Sequence, residues 1–173
     1  RQEDTAAFAL LVSEFQPLVF RLAFRLLCDE DEAKDMVQET FVKVWLALGK
    51  YNGECRFSTW IYKITCNTCY DRLRSLYHSP LDNEADYSVS VNISSDDNVE
   101  LAVVNKQLRE LILRYTDELS PRQRLIFTLR DIEELDVPEV QTITGLSAGI
   151  IKTTLYLARK NIRNKMNQID AGL

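Results

Sequence analysis

The sequence predicts an all-α protein made of two small helical domains joined by a flexible acidic linker. Three features carry that expectation. Apolar residues recur at three- and four-residue steps over long stretches, which is the spacing of one helix face. Only five Gly and four Pro punctuate 173 residues, so long helices with short connections are the natural reading. A polar segment rich in Ser, Asp and Asn, "HSPLDNEADYSVSVNISSDDN", interrupts the periodicity near the middle. The expected organisation is a first body over 1–77, a linker over 78–100 and a second body over 101–173. A chain of this length suffices for two small bodies of that kind.

The first body reads as helical from about Asp4 to Tyr77. Phe8, Leu11, Val12 and Phe15, then Leu18, Leu22 and Leu26, mark one face. Pro17 either takes the first position of a second helix or bends a continuous one. Asp29 or Asp31 caps the next helix, with acids gathered in its first turn. The apolar face of that helix is Ala33, Val37, Phe41, Val44 and Leu48, and Gly49 is its expected stop. After the loop "KYNGECRF", Ser58 is expected to cap a helix running to about Tyr77. Within the linker "SVSVNI" alternates like a strand, but it stands alone.

The second body is helical again. Asn98 or Asp97 caps a helix to about Thr116. "SPRQ" at 120–123 is a start signal: Ser120 caps, Pro121 opens the first turn and Gln123 reaches back. That helix carries Leu125, Ile126 and Leu129. "DVPE" at 136–139 repeats the device with Asp136 and Glu139. The short helix that follows stops at Thr144 and Gly145. Ser147 then caps a last helix with the stripe Ile151, Leu155, Ala158 and Ile162. A short helix, a Gly turn and a longer basic helix make the pattern of a helix-turn-helix.

The formal net charge of -5 argues against nucleic acid until it is divided along the chain. Residues 1–77 hold ten Lys/Arg against eleven Asp/Glu, 78–100 hold none against six, and 101–173 hold eleven against nine. The acidity sits in the linker. Two stretches are basic: 55–74 has four cations and one anion, and 147–166 has five cations and no anion. Local clustering, more than the total, governs phosphate binding. No apolar run approaches the roughly eighteen residues of a membrane helix.

Catalysis is disfavoured. There is one His, no Gly-rich phosphate loop, and no Gly-x-Ser-x-Gly or His-Glu-x-x-His. No cofactor and no small-molecule substrate are expected. The pair Cys66 and Cys69 matches a redox or zinc pattern, but structural zinc needs four ligands, and Cys28, Cys55 and His78 supply no second pair. Redox pairs sit at helix N-termini, whereas this one is mid-helix. Small inert side chains are the favoured reading, and no metal site is expected. Four irregularly spaced cysteines give no disulfide framework, which suits a reducing cytoplasm.

Three helix faces remain. In "STWIYKITCNTCYDRLRS", Ile61, Ile64, Thr68 and Leu73 form an inward stripe, while Lys63, Asn67, Tyr70, Asp71 and Arg74 fall elsewhere. Amides and cations among aromatics suit unpaired bases and phosphates, and a solvated face fits as well. In "DEAKDMVQETFVKVW" a mixed acidic and aromatic face suits a protein partner or ordinary surface. On the last helix Lys152, Thr153, Tyr156, Arg159 and Lys160 lie opposite the apolar stripe, as on a recognition helix.

In this order, "DEAKDMVQETFVKVW" with "FSTWIYKITCNTCYDRLRS", a linker, and "LSPRQRLIFTLRDIEELDVPEVQTITGLSAGIIKTTLYLARKNIR" resemble an extracytoplasmic-function (ECF) sigma factor of the sigma-70 family. The resemblance covers nearly the whole chain, as a sigma-2 domain and a sigma-4 domain with nothing like sigma-3 between. It implies a transcription initiation factor that binds core RNA polymerase and promoter DNA, together with an anti-sigma factor, membrane-bound in part of the family. It implies that Asp35, Gln38, Glu39, Phe41 and Trp45 dock on core polymerase. It implies that Arg56, Trp60, Lys63, Asn67, Asp71 and Arg74 read the melted -10 non-template strand. It implies that Ser147, Lys152, Thr153, Tyr156, Arg159 and Lys160 meet the -35 duplex. The linker is expected to thread toward the RNA-exit path. The chain departs from the family pattern at Gln141, where Ala is usual, at Ile150, where Thr is usual, and at Thr154, where a basic residue is usual. Ile150 either meets thymine methyls or belongs to the core. The alternatives are a stand-alone helix-turn-helix regulator with a helical dimerisation or ligand domain, and a cysteine-based metal or redox sensor.

Overall fold

The computed structural model describes residues 5–77, 110, 113–116 and 118–170. Among the described residues every regular element is helical. The linker, with its acidic residues and "SVSVNI", lies outside them. Helix α1 spans Thr5–Leu27, α2 spans Glu30–Ala47 and runs into a 3-10 turn at Leu48–Lys50, and α3 spans Phe57–Tyr77. Helix α4, Pro121–Phe127, passes directly into a π-helical turn at Thr128–Ile132; α5 spans Val137–Thr144 and α6 spans Ala148–Asp170.

Several local signals resolve. Pro17 lies inside a continuous α1. By length and composition α1 is the one described helix that could cross a membrane, with an 18-residue window of mean hydropathy 1.5. The expectation that no such run exists is therefore corrected on average hydropathy, although exposed Ser13, Glu14, Gln16 and Arg21 interrupt the helix. In this fold its C-terminal half buries Val19, Leu22, Ala23 and Leu26 completely. Asp29, not Asp31, caps α2, its carboxylate accepting from the Asp31 and Glu32 N–H groups at 3.0 Å. Gly49 lies within the 3-10 turn rather than beyond the helix. Helix α3 starts one residue before Ser58, and the Trp60 N–H donates to the Arg56 carbonyl at 3.1 Å, so Arg56 holds the cap position.

The second body follows its caps closely. Ser120 with Gln123 and Asp136 with Glu139 each form the reciprocal box that satisfies two orphan N–H groups. Gly145 ends α5 with φ 73°, where a Cβ is disfavoured. The Ser147 hydroxyl accepts from the Ile150 N–H at 3.4 Å, and its carbonyl accepts from Ile151 at 3.0 Å.

The two bodies do not stand apart. Helix α3 packs on α1 and α2 on one side and on α4 and α5 on the other. Leu22, Leu26, Tyr62, Cys66 and Leu73 join Leu125, Ile126, Leu129, Val140 and Ile143 in one core cluster. Polar groups cross this seam. Glu133, 5% exposed, accepts from the Tyr62 hydroxyl at 2.7 Å, pairs with Arg25, and lies 3.9 Å from Arg21. Arg124, buried, donates to the Leu26 carbonyl at 3.4 Å and to the Thr116 carbonyl at 2.8 Å. A cation from the second body thus meets the C-terminal end of α1, where a helix presents unpaired carbonyls and partial negative charge.

Candidate nucleic-acid and protein interfaces

The outward side of α3 is a continuous stripe. Lys63, Asn67, Asp71 and Arg74 are all exposed, at steps of four, four and three. Tyr70, placed with them in the sequence reading, is half-buried and packs against the core. The inward side is wider than expected. Ile61, Thr65, Thr68 and Leu73 are buried, and so are Tyr62, Cys66 and Cys69. Arg72, partly exposed, reaches sideways to form a bidentate pair with Glu32 at 2.5 and 2.6 Å and ties α3 to α2.

The loop before α3 is held by rings. Tyr51, Phe57 and Trp60 lie with centroids 5.2 to 5.5 Å apart, and Phe15 joins through Phe57 at 5.4 Å. The Tyr51 hydroxyl donates to the Cys55 carbonyl at 2.7 Å. This clamp leaves Arg56 exposed and Trp60 half-buried as part of the cluster.

Burial answers the question raised by the cysteine pair. It pushes both thiols up, Cys69 to about 12, with Cys69 and Glu133 adding to the rise at Cys66. The thiolate needed for metal binding or exchange is disfavoured there. Among the described residues no group of three or more His, Cys, Asp and Glu is arranged to hold a metal ion.

On α2 the sequence reading is one position out. Phe41 is buried, and the half-buried Trp45 ring sits edge-to-face on Phe8 at 4.7 Å. The residues that continue the exposed face of Asp35, Gln38 and Glu39 are Val42, 59% exposed, and Leu46, 73% exposed. Steps of three and four from Asp35 lead to them directly, and that signal was available in the sequence. Glu39 pairs with Lys43 at 2.7 Å, and Lys43 also donates to Thr68 at 3.1 Å.

On α6 the buried stripe is Ile151, Leu155 and Ala158, with Ile162 half-buried. Ser147, Lys152, Thr153, Tyr156, Arg159 and Lys160 are all exposed. Arg159 is engaged within the chain: its Nε and Nη2 donate to Asp131 at 2.8 and 2.6 Å. That hydrogen bond raises its pKa further, so the charge is permanent. Ile150 is 44% exposed, which removes the core alternative for it.

A family model described as Sigma-70 region 2 matches residues 11–78, and one described as Sigma-70, region 4 matches residues 109–162. The chain is similar to an ECF RNA polymerase sigma-E factor of Salmonella typhimurium, 30% identical across 96% of this chain and 90% of the relative. It is similar to the RNA polymerase sigma-H factor of Pseudomonas aeruginosa, 28% identical across 92% and 86%. Among solved structures, the sigma factor RpoE in complex with the anti-sigma factor NepR from Bartonella quintana has the same fold, with a TM-score of 0.62 at 23% identity over 95% of this chain and 98% of that one.

Proposed function

The chain belongs to the ECF sigma factors of the sigma-70 family, transcription initiation factors that direct RNA polymerase to promoters, and from that premise we propose how its surfaces divide the work. Core polymerase takes the α2 face of Asp35, Gln38, Glu39, Val42 and Leu46. The α3 stripe of Lys63, Asn67, Asp71 and Arg74, with Arg56 and the edge of Trp60, reads the melted -10 strand. The N-terminal half of α6 enters the -35 major groove, with Ser147, Lys152, Thr153, Tyr156 and Lys160 at the DNA and Arg159 steadied by Asp131. The observation that carries this reading is the pair of exposed stripes, each mounted on a helix whose opposite side is buried. An anti-sigma factor, membrane-bound or free, masks these surfaces in a cytoplasmic setting. The working units are residues 1–77 and 101–173.

The seam must open for both elements to be met at once. Positions -10 and -35 lie about 25 base pairs apart, or about 85 Å along a duplex at roughly 3.4 Å per pair. A closed body of this length has a radius of gyration of only about 16 Å. Each body makes few phosphate contacts, and each contact contributes about -0.9 to the logarithmic salt slope, so the lone chain binds DNA weakly. Mounting both on core enzyme raises their effective concentrations.

The test is co-purification with core polymerase followed by run-off transcription. Val42→Ala with Leu46→Ala is expected to weaken core binding at least tenfold while unfolding stability changes by less than about 0.5 kcal/mol, as for most surface substitutions. Unchanged core binding by that variant removes the α2 assignment; a wild-type chain that fails to initiate removes the whole division.

A further inference from the structure

Helices of the helix-turn-helix kind meet base edges with their N-terminal residues, and on α6 that part carries an exposed apolar strip beside Lys152. Ile150 is 44% exposed, Leu157 42% and Tyr156 66%. Thr153, also exposed, brings a methyl group between Ile150 and Leu157, because steps of three and four place these three on one strip. Tyr156 flanks the strip on its other side. The core does not need them, since Ile151, Leu155 and Ala158 already fill it.

Single exposed apolar residues are ordinary. Here they cluster within eight residues of a helix whose stretch 147–166 holds five cations and no anion. Such a setting favours a polyanion over an apolar protein groove. What this strip lacks is equally informative. The strip of Ile150, Thr153, Tyr156 and Leu157 contains no Arg, Lys, Asn or Gln, the side chains that pair in two-point fashion with guanine or adenine, and Lys152 lies on the neighbouring line of the helix. The nearest guanidinium, Arg159, has its Nε and Nη2 edge committed to Asp131. In the major groove the feature an apolar side chain recognises is the 5-methyl group of thymine.

We infer that Ile150, Leu157 and Tyr156 determine the -35 preference of this chain by packing against thymine methyl groups. The inference rests on the reading of α6 as the -35 reader. Lys152 and Lys160 then supply phosphate attraction without sequence choice.

Replacing thymine by deoxyuracil tests this without altering the protein, because only the methyl group is removed. A promoter is selected from a random library by transcription with core polymerase and the full chain. Holoenzyme affinity is then measured on three templates: the selected -35 element, a scrambled element, and the selected element with deoxyuracil at every -35 thymine. Affinity is expected to fall on the order of fourfold per methyl group lost. The Ile150→Ala and Leu157→Ala chains are expected to bind the thymine and deoxyuracil templates nearly alike. A scrambled element that costs affinity while deoxyuracil costs none overturns the inference and leaves α6 as the reader. A scrambled element that costs nothing overturns the α6 reading itself. A selected element of G·C pairs alone also overturns the inference.

Discussion

The joint among α1, α2 and α3 and the seam where α3 meets α4 and α5 are both buried, yet they are made differently. The first is closed by Val19, Val37, Phe41, Val44 and Ile61, with Phe8, Phe15, Phe57 and Trp60 along its border; its charged ties, Arg72 to Glu32 and Lys43 to Thr68, are partly exposed at the rim. The second sets Leu26, Tyr62, Cys66, Ile126 and Ile143 around Glu133 and Arg124. An apolar joint loses everything when water enters. A seam with a carboxylate, guanidinium groups and a phenol regains part of its loss, because water solvates the same groups once they part. On that difference the seam is the contact the proposed function would open, and the apolar joint the one it would keep.

The largest expected effect lies in the apolar joint. Phe41→Ala should cost about 3–5 kcal/mol of unfolding free energy, the range for removing a buried ring. Denaturant unfolding measures it, and a loss below about 1 kcal/mol would return Phe41 to the docking role that the family resemblance implies. Next comes the seam. Glu133→Ala leaves Arg25 and the Tyr62 hydroxyl without their shared partner, and should cost about 3 kcal/mol, near the low end for breaking a buried pair, since Arg21 is half exposed. Cys66 reports it independently. It is 1% exposed and feels the Glu133 charge, so its reaction with a thiol reagent should quicken in this variant and barely change in a variant of the α2 surface.

The smallest effect appears at alkaline pH. Tyr62 is held at about 12, against an ordinary 10.0, first by burial and then by its hydrogen bond and proximity to Glu133. A phenol whose folded pKa is raised stabilises the fold fully below pH 10, and that share is lost as pH rises toward 12. It amounts to a little under about 3 kcal/mol at most. Cys66 and Cys69, also raised, add losses that begin near their ordinary 9.0. Tyr62→Phe removes only the tyrosine share. Its stability should therefore fall less steeply between pH 10 and 12 than that of the unaltered chain, and equal slopes would mean that Tyr62 is wet in solution.

Much of this was legible because it is local. Ser120, Asp136 and Gly145 act within four residues of themselves, and the structure uses each as a cap or a turn. The exposed stripe of α3 followed from periodicity, apart from Tyr70, which packs on the core. The family resemblance gave Phe41 and Trp45 a docking role, although periodicity had already set Phe41 on the apolar face; a helix turns 100° per residue, and Val42 and Leu46 hold the exposed side. The seam was not legible. Nothing in the local pattern of Glu133, 108 residues from Arg25, says that it will be buried. Charged residues normally read as surface, so the two bodies were legible but the packing of one on the other was not.

The π-helical turn at Thr128–Ile132 carries a consequence for chain length. Such a turn is a helix with one residue too many, and here the surplus comes immediately before Glu133, with Glu134 at φ 57° closing the turn. The widened turn absorbs that surplus, so deleting one residue of the five would close it to ordinary helical spacing and leave Glu133 near the phase it now has. Elsewhere in a helix the same deletion would turn every later side chain by about 100°, so this is the place where the second body can change its length and keep its grip on Arg25.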